Sequence, residues 1–181
     1  MTLPASAEVV VVGAGVMGAS VAYHLARRGQ RNVLLLDAAQ GPGGGSTSRA
    51  TGGYRAQYAT AVNVKLSLLS REKLLAFRDE TGVDCGYAQV GYLWLASTPE
   101  QLETLLDGQR VQHANGLPEA RAVSLEEIRA LNPALSMADV VGGVFGPTDG
   151  TIRPLAILNG YLAAAQRLGV NVVWGTRVTG L

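Results

Sequence analysis

Cysteine is almost missing from this chain. Cys85 stands alone among 181 residues, so no intrachain disulfide and no cysteine-built metal site is available. Packing, rather than chemistry, is the expected role of that single thiol, and no metal site is expected. Lysine occurs only at Lys65 and Lys73, the arginines are scattered, and the net charge is +1. No basic patch for nucleic acid or an anionic membrane arises from that distribution. Charged residues make up 16% and hydrophobic residues 48%, enough to fill a core and too apolar for general disorder. Long apolar runs are lacking as well: none approaches a membrane span. Met1 to Glu8 has neither the basic n-region nor the apolar h-region of a secretory signal. The expectation is a cytoplasmic protein of one domain, or one and a fraction.

What the chain does have is glycine in a particular order. Val9-Val10-Val11-Val12 is a short β-branched run suited to a strand buried on both faces of a parallel sheet. Gly13-Ala14-Gly15-Val16-Met17-Gly18 follows at once and matches G-x-G-x-x-G. A helical pattern then runs to Arg28, Gly29 ends it, and Val33-Leu34-Leu35-Leu36 reads as a second strand with Asp37 at its end. Gly13 permits the tight turn, Gly15 leaves room for a pyrophosphate, and Gly18 allows close packing of helix on sheet. The helix N-terminus offers N–H groups and partial positive charge to phosphate. Asp37, about twenty residues beyond the third glycine, is placed to accept hydrogen bonds from an adenosine ribose. An acid there, with no basic neighbour before Arg49, argues against a 2′-phosphate and hence against NADP. FAD and NAD both remain open.

The segment from Gly41 to Gly53 is dense in glycine and hydroxyl residues and carries Arg49, with Tyr54-Arg55 just beyond. Directly after a ribose-binding acid it reads as the second half of a cofactor cradle rather than a linker. Ala61–Thr81 is a helix pattern with an apolar stripe through Val64, Leu68, Leu75 and Phe77, and Leu69 and Leu74 between. Strands are expected at Tyr87–Val90, Tyr92–Ala96 and Val140–Phe145. Thr98-Pro99-Glu100-Gln101 and Ser124-Leu125-Glu126-Glu127 are helix starts with their caps. His113, in the last turn of the first of these helices, is expected to be a solvated cation. Pro147-Thr148-Asp149-Gly150 reads as a turn. Pro154 opens a helix that Gly169 closes, Val170–Val173 forms a strand, and Arg177–Leu181 starts another. The chain stops inside that pattern, as a fragment or a subunit completed by another chain would.

These residues resemble the FAD-dependent amino-acid oxidase superfamily that includes D-amino-acid oxidase, glycine oxidase and sarcosine oxidase. The likeness is strongest to the branch of the sarcosine oxidase β-subunit and proline or dimethylglycine dehydrogenase. It rests on the glycine turn with Asp37, where the family often has Glu, on Gly45–Arg55, and on Asp149-Gly150-x-x-x-Pro154 before an alanine-rich helix. It covers the whole chain and about the N-terminal half of a typical member. The resemblance implies an α/β fold: a Rossmann-like FAD-binding domain with a parallel sheet, plus part of an interleaved α+β substrate domain. The expected division is 1–82 and 148–181 for the FAD-binding part and 83–147 for the substrate part.

By the same resemblance the cofactor is FAD, held by Gly13, Gly15, Gly18 and Asp37, with Ser46, Ser48 and Arg49 for phosphate or isoalloxazine contacts. Arg55 and Tyr58 either approach flavin or substrate or serve structure. The implied reaction is oxidation of the C–N bond of a small amino acid or N-methyl amino acid, such as sarcosine, glycine, proline or dimethylglycine, by hydride transfer to flavin. No catalytic residue is assigned, because the cofactor carries the hard chemistry. Two alternatives stand beside it. One is a non-catalytic fragment or subunit that needs a partner chain to bind FAD. The other is an NAD-dependent dehydrogenase, against which the glycine-rich Gly41–Gly53 stretch speaks. The expected partners are a small amino-acid or secondary-amine substrate and a completing subunit or second copy, with neither nucleic acid nor membrane.

Overall fold

The computed structural model describes residues 3–180; Met1, Thr2 and Leu181 lie outside them. The chain divides into two units. Residues up to Gly52, with 76–86 and Arg153 onward, form the first, while Gly53–Leu75 and Tyr87–Ile152 form the second.

In the first unit β1 (Val9–Val12), α1 (Val16–Arg27) and β2 (Val33–Leu36) follow one another as the sequence predicts. The unit is completed by α5 (Pro154–Arg167) and β8 (Asn171–Val173) near the other end of the chain. The sheet is wholly parallel in the order β1-β2-β8, with Val9 opposite Val33 and Leu34 opposite Asn171. Ala19, Ala22 and Tyr23 of α1 pack with Leu158, Leu162 and Ala165 of α5 over Val33, Leu35 and Val172. Burying a side chain such as Leu35 stabilises the fold by about 2 kcal/mol, and small residues on both helices let them approach. Gly160 of α5 makes room for Phe77, whose ring would lie 2.6 Å from a Cβ there. Cys85 is buried.

One expectation for β1 needs correction. Its residues alternate, with Val10 49% and Val12 59% exposed. The helices cover the face of Val9 and Val11. On the other face the apolar cluster consists of Leu34, Leu36, Val173 and Ala7, which leaves Val10 and Val12 uncovered. Arg177–Gly180 also fails to form the expected strand. Gly175 and Thr176 instead donate to the carbonyls of Ala39 and Asp37, each at 2.8 Å, where the chain after β2 is already turning away.

The second unit contains β3 (Gly53–Tyr54), residues 61–75 of α2 (Ala61–Thr81), β4 (Tyr92–Ala96), α3 (Pro99–Ala114), β5 (Arg121–Val123), α4 (Leu125–Leu131), β6 (Gly142–Gly146) and β7 (Gly150–Thr151). β4, β6 and β5 make an antiparallel sheet in that order, and β3 pairs antiparallel with β7. Tyr87–Val90 is not a strand. Only Ala88 bridges, to Thr151, because β7 is short and Gly91 at φ +82° turns the chain. Val64 joins Ala56, Leu117 and Ala120 in this unit's core, whereas Phe77 packs on Tyr161 in the first unit with ring centroids 5.0 Å apart. The helix therefore feeds two cores in succession, and Leu69 and Leu75 of the expected stripe are exposed. His113 is exposed near the end of α3, its Nε2 beside the Ala120 carbonyl oxygen.

Both predicted caps form. Thr98 Oγ1 accepts from Gln101 N at 3.2 Å. Ser124 and Glu127 exchange the two bonds of a capping box at 3.2 and 2.9 Å. Ser124→Ala is expected to cost about 1 kcal/mol, read as a lower urea midpoint at unchanged slope; an unmoved midpoint would show the box to be idle.

Asp149, read from sequence as a turn residue, is wholly buried. Its Oδ1 accepts from Ala56 N at 2.8 Å and its Oδ2 from Gln57 Nε2 at 3.0 Å. Beside it Arg71 pairs with Glu119 at 2.5 Å and donates to Thr148 Oγ1 at 2.7 Å. Burial opposes ionisation of Glu119, yet Arg71 and Thr148 hold its carboxyl below the usual value.

Candidate cofactor site

The glycine turn is built by backbone geometry. Gly13 adopts φ +98°, a conformation that only glycine takes without strain, and its N–H donates to the Leu36 carbonyl at 2.7 Å. Gly18 faces this turn so closely that a Cβ would fall 1.8 Å from the Gly13 carbonyl oxygen. The closest approach is thus to the turn itself, with Val11 Cγ1 of the sheet next at 3.4 Å. Gly15 differs: a Cβ there would meet only Thr47 Oγ1, at 3.6 Å, so the space before the helix stays open.

Asp37 closes the other side. Its Oδ2 accepts from Ala14 N at 2.6 Å and its Oδ1 from Ala39 N at 2.8 Å. The carboxylate thereby locks the glycine turn to the end of β2. Each oxygen keeps acceptor capacity, since a carboxylate offers about four lone-pair sites. A 3-10 turn over Ser46–Arg49 brings Thr47 back to the helix start, where its Oγ1 accepts from Val16 N at 3.2 Å. Together these segments enclose a cavity of about 180 Å³ lined by Gly15, Asp37, Ser46, Thr47 and the glycines of 41–45, with Leu158 and Trp174 as its apolar wall.

Of the residues picked out by sequence, Gly15, Asp37 and Ser46 line this cavity, and Gly13 and Gly18 shape it. Ser48 is exposed and donates to the Gly45 carbonyl at 3.0 Å, and Arg49 is exposed; neither lines the cavity. Thr47, Leu158 and Trp174 were not singled out. Thr47 sits between two serines that were, and only the 3-10 turn reveals which hydroxyl reaches the helix. Arg55 and Tyr58 belong to the second unit, where the Arg55 guanidinium lies 5.1 Å from the Tyr58 ring and 5.0 Å from that of Trp94. A larger depression, about 290 Å³, lies where α1 and α5 end, between Gly29–Val33 and Leu168–Val170. Helix C-termini present carbonyls there, the wrong polarity for phosphate.

A parallel βαβ unit with this turn, an open helix N-terminus and a carboxylate at the second strand defines a dinucleotide-binding α/β protein. Residues 8–181 match the model of the family described as FAD dependent oxidoreductase, and the chain belongs to that family. That membership decides between FAD and NAD in favour of FAD. The mitochondrial pyruvate dehydrogenase phosphatase regulatory subunit of Mus musculus is 31% identical over 179 residues, 98% of this chain and 20% of that protein. The mitochondrial dimethylglycine dehydrogenase of Rattus norvegicus is 31% identical over 176 residues, 97% of this chain and 20% of that one. Among solved structures, L-proline dehydrogenase from P. horikoshii superposes with a TM-score of 0.90 at 30% identity, covering 98% of this chain and 46% of that chain. The chain therefore spans about a fifth of the length of these curated relatives.

Proposed function

We propose that this chain forms the adenosine- and pyrophosphate-holding part of an FAD enzyme that oxidises the C–N bond of a small amino acid or N-methyl amino acid. Sarcosine, glycine, proline and dimethylglycine are the substrates in view. The observation that carries this reading is the open cavity between Gly15 and Asp37. A side chain at Gly15 would narrow the approach of phosphate, and Asp37 retains lone pairs for ribose hydroxyls. The N-terminal N–H groups of α1 take the pyrophosphate, with Ser46 and Thr47 beside them. Ser48 and Arg49, exposed on the same turn, remain in the proposal as contacts to parts of the cofactor beyond the cavity. Bound FAD supplies the hydride acceptor, and the protein binds, orients and excludes water.

A second reading is favoured by the regulatory subunit among the relatives: the same fold used without turnover, completed by a partner chain or a second copy. The visible spectrum of the purified protein, with the released cofactor weighed by mass, tests cofactor binding. FAD is the expected outcome, and Asp37→Ala is expected to weaken its uptake by about tenfold or more through the loss of ribose hydrogen bonds. A folded, colourless protein that takes up no FAD would remove the enzyme reading for this chain alone.

A further inference from the structure

α2 carries two apolar faces. Val64 and Leu68 pack into the core of the second unit, and Arg71 continues that side towards Glu119. On the opposite side Val62, Leu66 and Leu69 stand 62%, 56% and 54% exposed, and exposed Lys73 ends their line. The spacing i, i+4, i+7 and i+11 puts all four on one strip of the helix, where the seam of a helix pair would run. They lie in the part of α2 that belongs to the second unit. Exposed apolar residues scattered singly need no explanation, but three in register on one strip mark an interaction face.

The flanks of the strip indicate what covers it. Lys65 and Glu72 run along one flank, both exposed and neither in an ion pair among the described residues. Seven residues apart, they stand about 10 Å from one another along the axis, out of reach within one helix. The other flank carries Asn63 and Ser70, both exposed and uncharged. A second α2, set antiparallel about a two-fold axis between Leu66 and Leu69, fits both flanks. Leu66 then meets Leu69 of the second copy, and Val62 meets the aliphatic stem of the second copy's Lys73. Such an axis sets each flank against its own equivalent. Lys65 therefore meets Glu72 of the second copy twice over, and Asn63 meets Ser70. In a parallel pair Lys73 would face Lys73, and Lys65 would find only Asn63 and Ser70. We propose that α2 is the contact through which two copies of this chain associate, antiparallel across Val62, Leu66 and Leu69, with reciprocal Lys65–Glu72 pairs. One helix seam is a small interface, so the association is weak and salt-sensitive.

Sedimentation equilibrium of the full chain reads the association, expected at about 10–100 μM for so small a contact. Lys65→Glu and Glu72→Lys each set like charges together twice and are expected to weaken it at least about tenfold. Mixed in equal amounts, the two variants are expected to regain the parent's affinity, because one brings two acids and the other two bases to the facing flanks. Leu66→Ser, at an exposed position, is expected to lose the dimer while circular dichroism shows the helix content unchanged. A parent that stays single throughout that concentration range would overturn the proposal and leave the strip to another protein or another stretch of polypeptide. A dimer that both charge reversals leave intact would overturn it too, as would a mixture no tighter than either variant alone.

Discussion

Gly18→Ala is expected to destabilise the first unit by about 3 kcal/mol and to abolish FAD uptake, because the new methyl has nowhere to go. Its position would be 1.8 Å from the Gly13 carbonyl oxygen and 3.0 Å from the Gly13 carbonyl carbon. Both are backbone atoms, so no flexible side chain relieves the overlap. The turn must move instead, and with it the Gly13–Leu36 and Ala14–Asp37 hydrogen bonds that hold the cavity open. For a protein of this size that loss lowers the melting temperature by about 6–12 °C. Gly15→Ala is the contrasting change, since its methyl meets only Thr47 Oγ1 at 3.6 Å. It should keep stability within about 1 kcal/mol of the parent and still weaken FAD uptake. Scanning calorimetry and flavin titration on the pair check the argument. A stable Gly18→Ala protein that binds FAD normally would show that the turn is soft.

The second large effect is expected at Asp149. Asp149→Ala leaves Ala56 N and one of the two Gln57 Nε2 hydrogens buried without an acceptor, the other still meeting the Tyr92 carbonyl, at about 1–3 kcal/mol each, and empties the space of the carboxyl; a total near 3–5 kcal/mol follows. Asp149→Asn keeps the bond from Ala56 and sets two amide groups against each other at Gln57, so it should cost less. Burial raises the carboxyl of Asp149 above its ordinary value of 3.8, against the pull of Ala56 N–H and Gln57. A folded-state pKa above the unfolded one means a contribution fully present below pH 3.8 and lost as pH rises through the raised value. The parent's advantage over Asp149→Asn should therefore widen on acidification from pH 7 towards pH 4. Urea titrations at both pH values decide it, and an advantage that shrinks in acid would reverse the sign.

Where structure is made locally, the sequence announces it. The β1-turn-α1-β2 unit, the caps of α3 and α4 and the start of α5 at Pro154 are all set by neighbours within a few residues, and all appear as read. β3 and β7 are invisible in the sequence because each exists only by pairing with the other across the intervening chain. Val10 and Val12 misled because composition shows what a strand can bury, while exposure depends on which layers arrive. Thr47 was passed over for the hydroxyls beside it, since a 3-10 turn chooses among them. Asp149 looks like a turn residue; only long-range packing makes it an acceptor buried in a core.

β2 acquires its first neighbour at once, through α1, and its second only when β8 has been made, after residues 37–170. At about 5–20 residues per second on the ribosome that delay amounts to roughly ten seconds. The sheet of the second unit lies wholly between Tyr92 and Gly146, so all its strands are available earlier. A chain laid out in this order closes its inner unit before the outer one can finish. The half-built βαβ unit waits meanwhile with Leu34 and Leu36 uncovered, a natural substrate for chaperones.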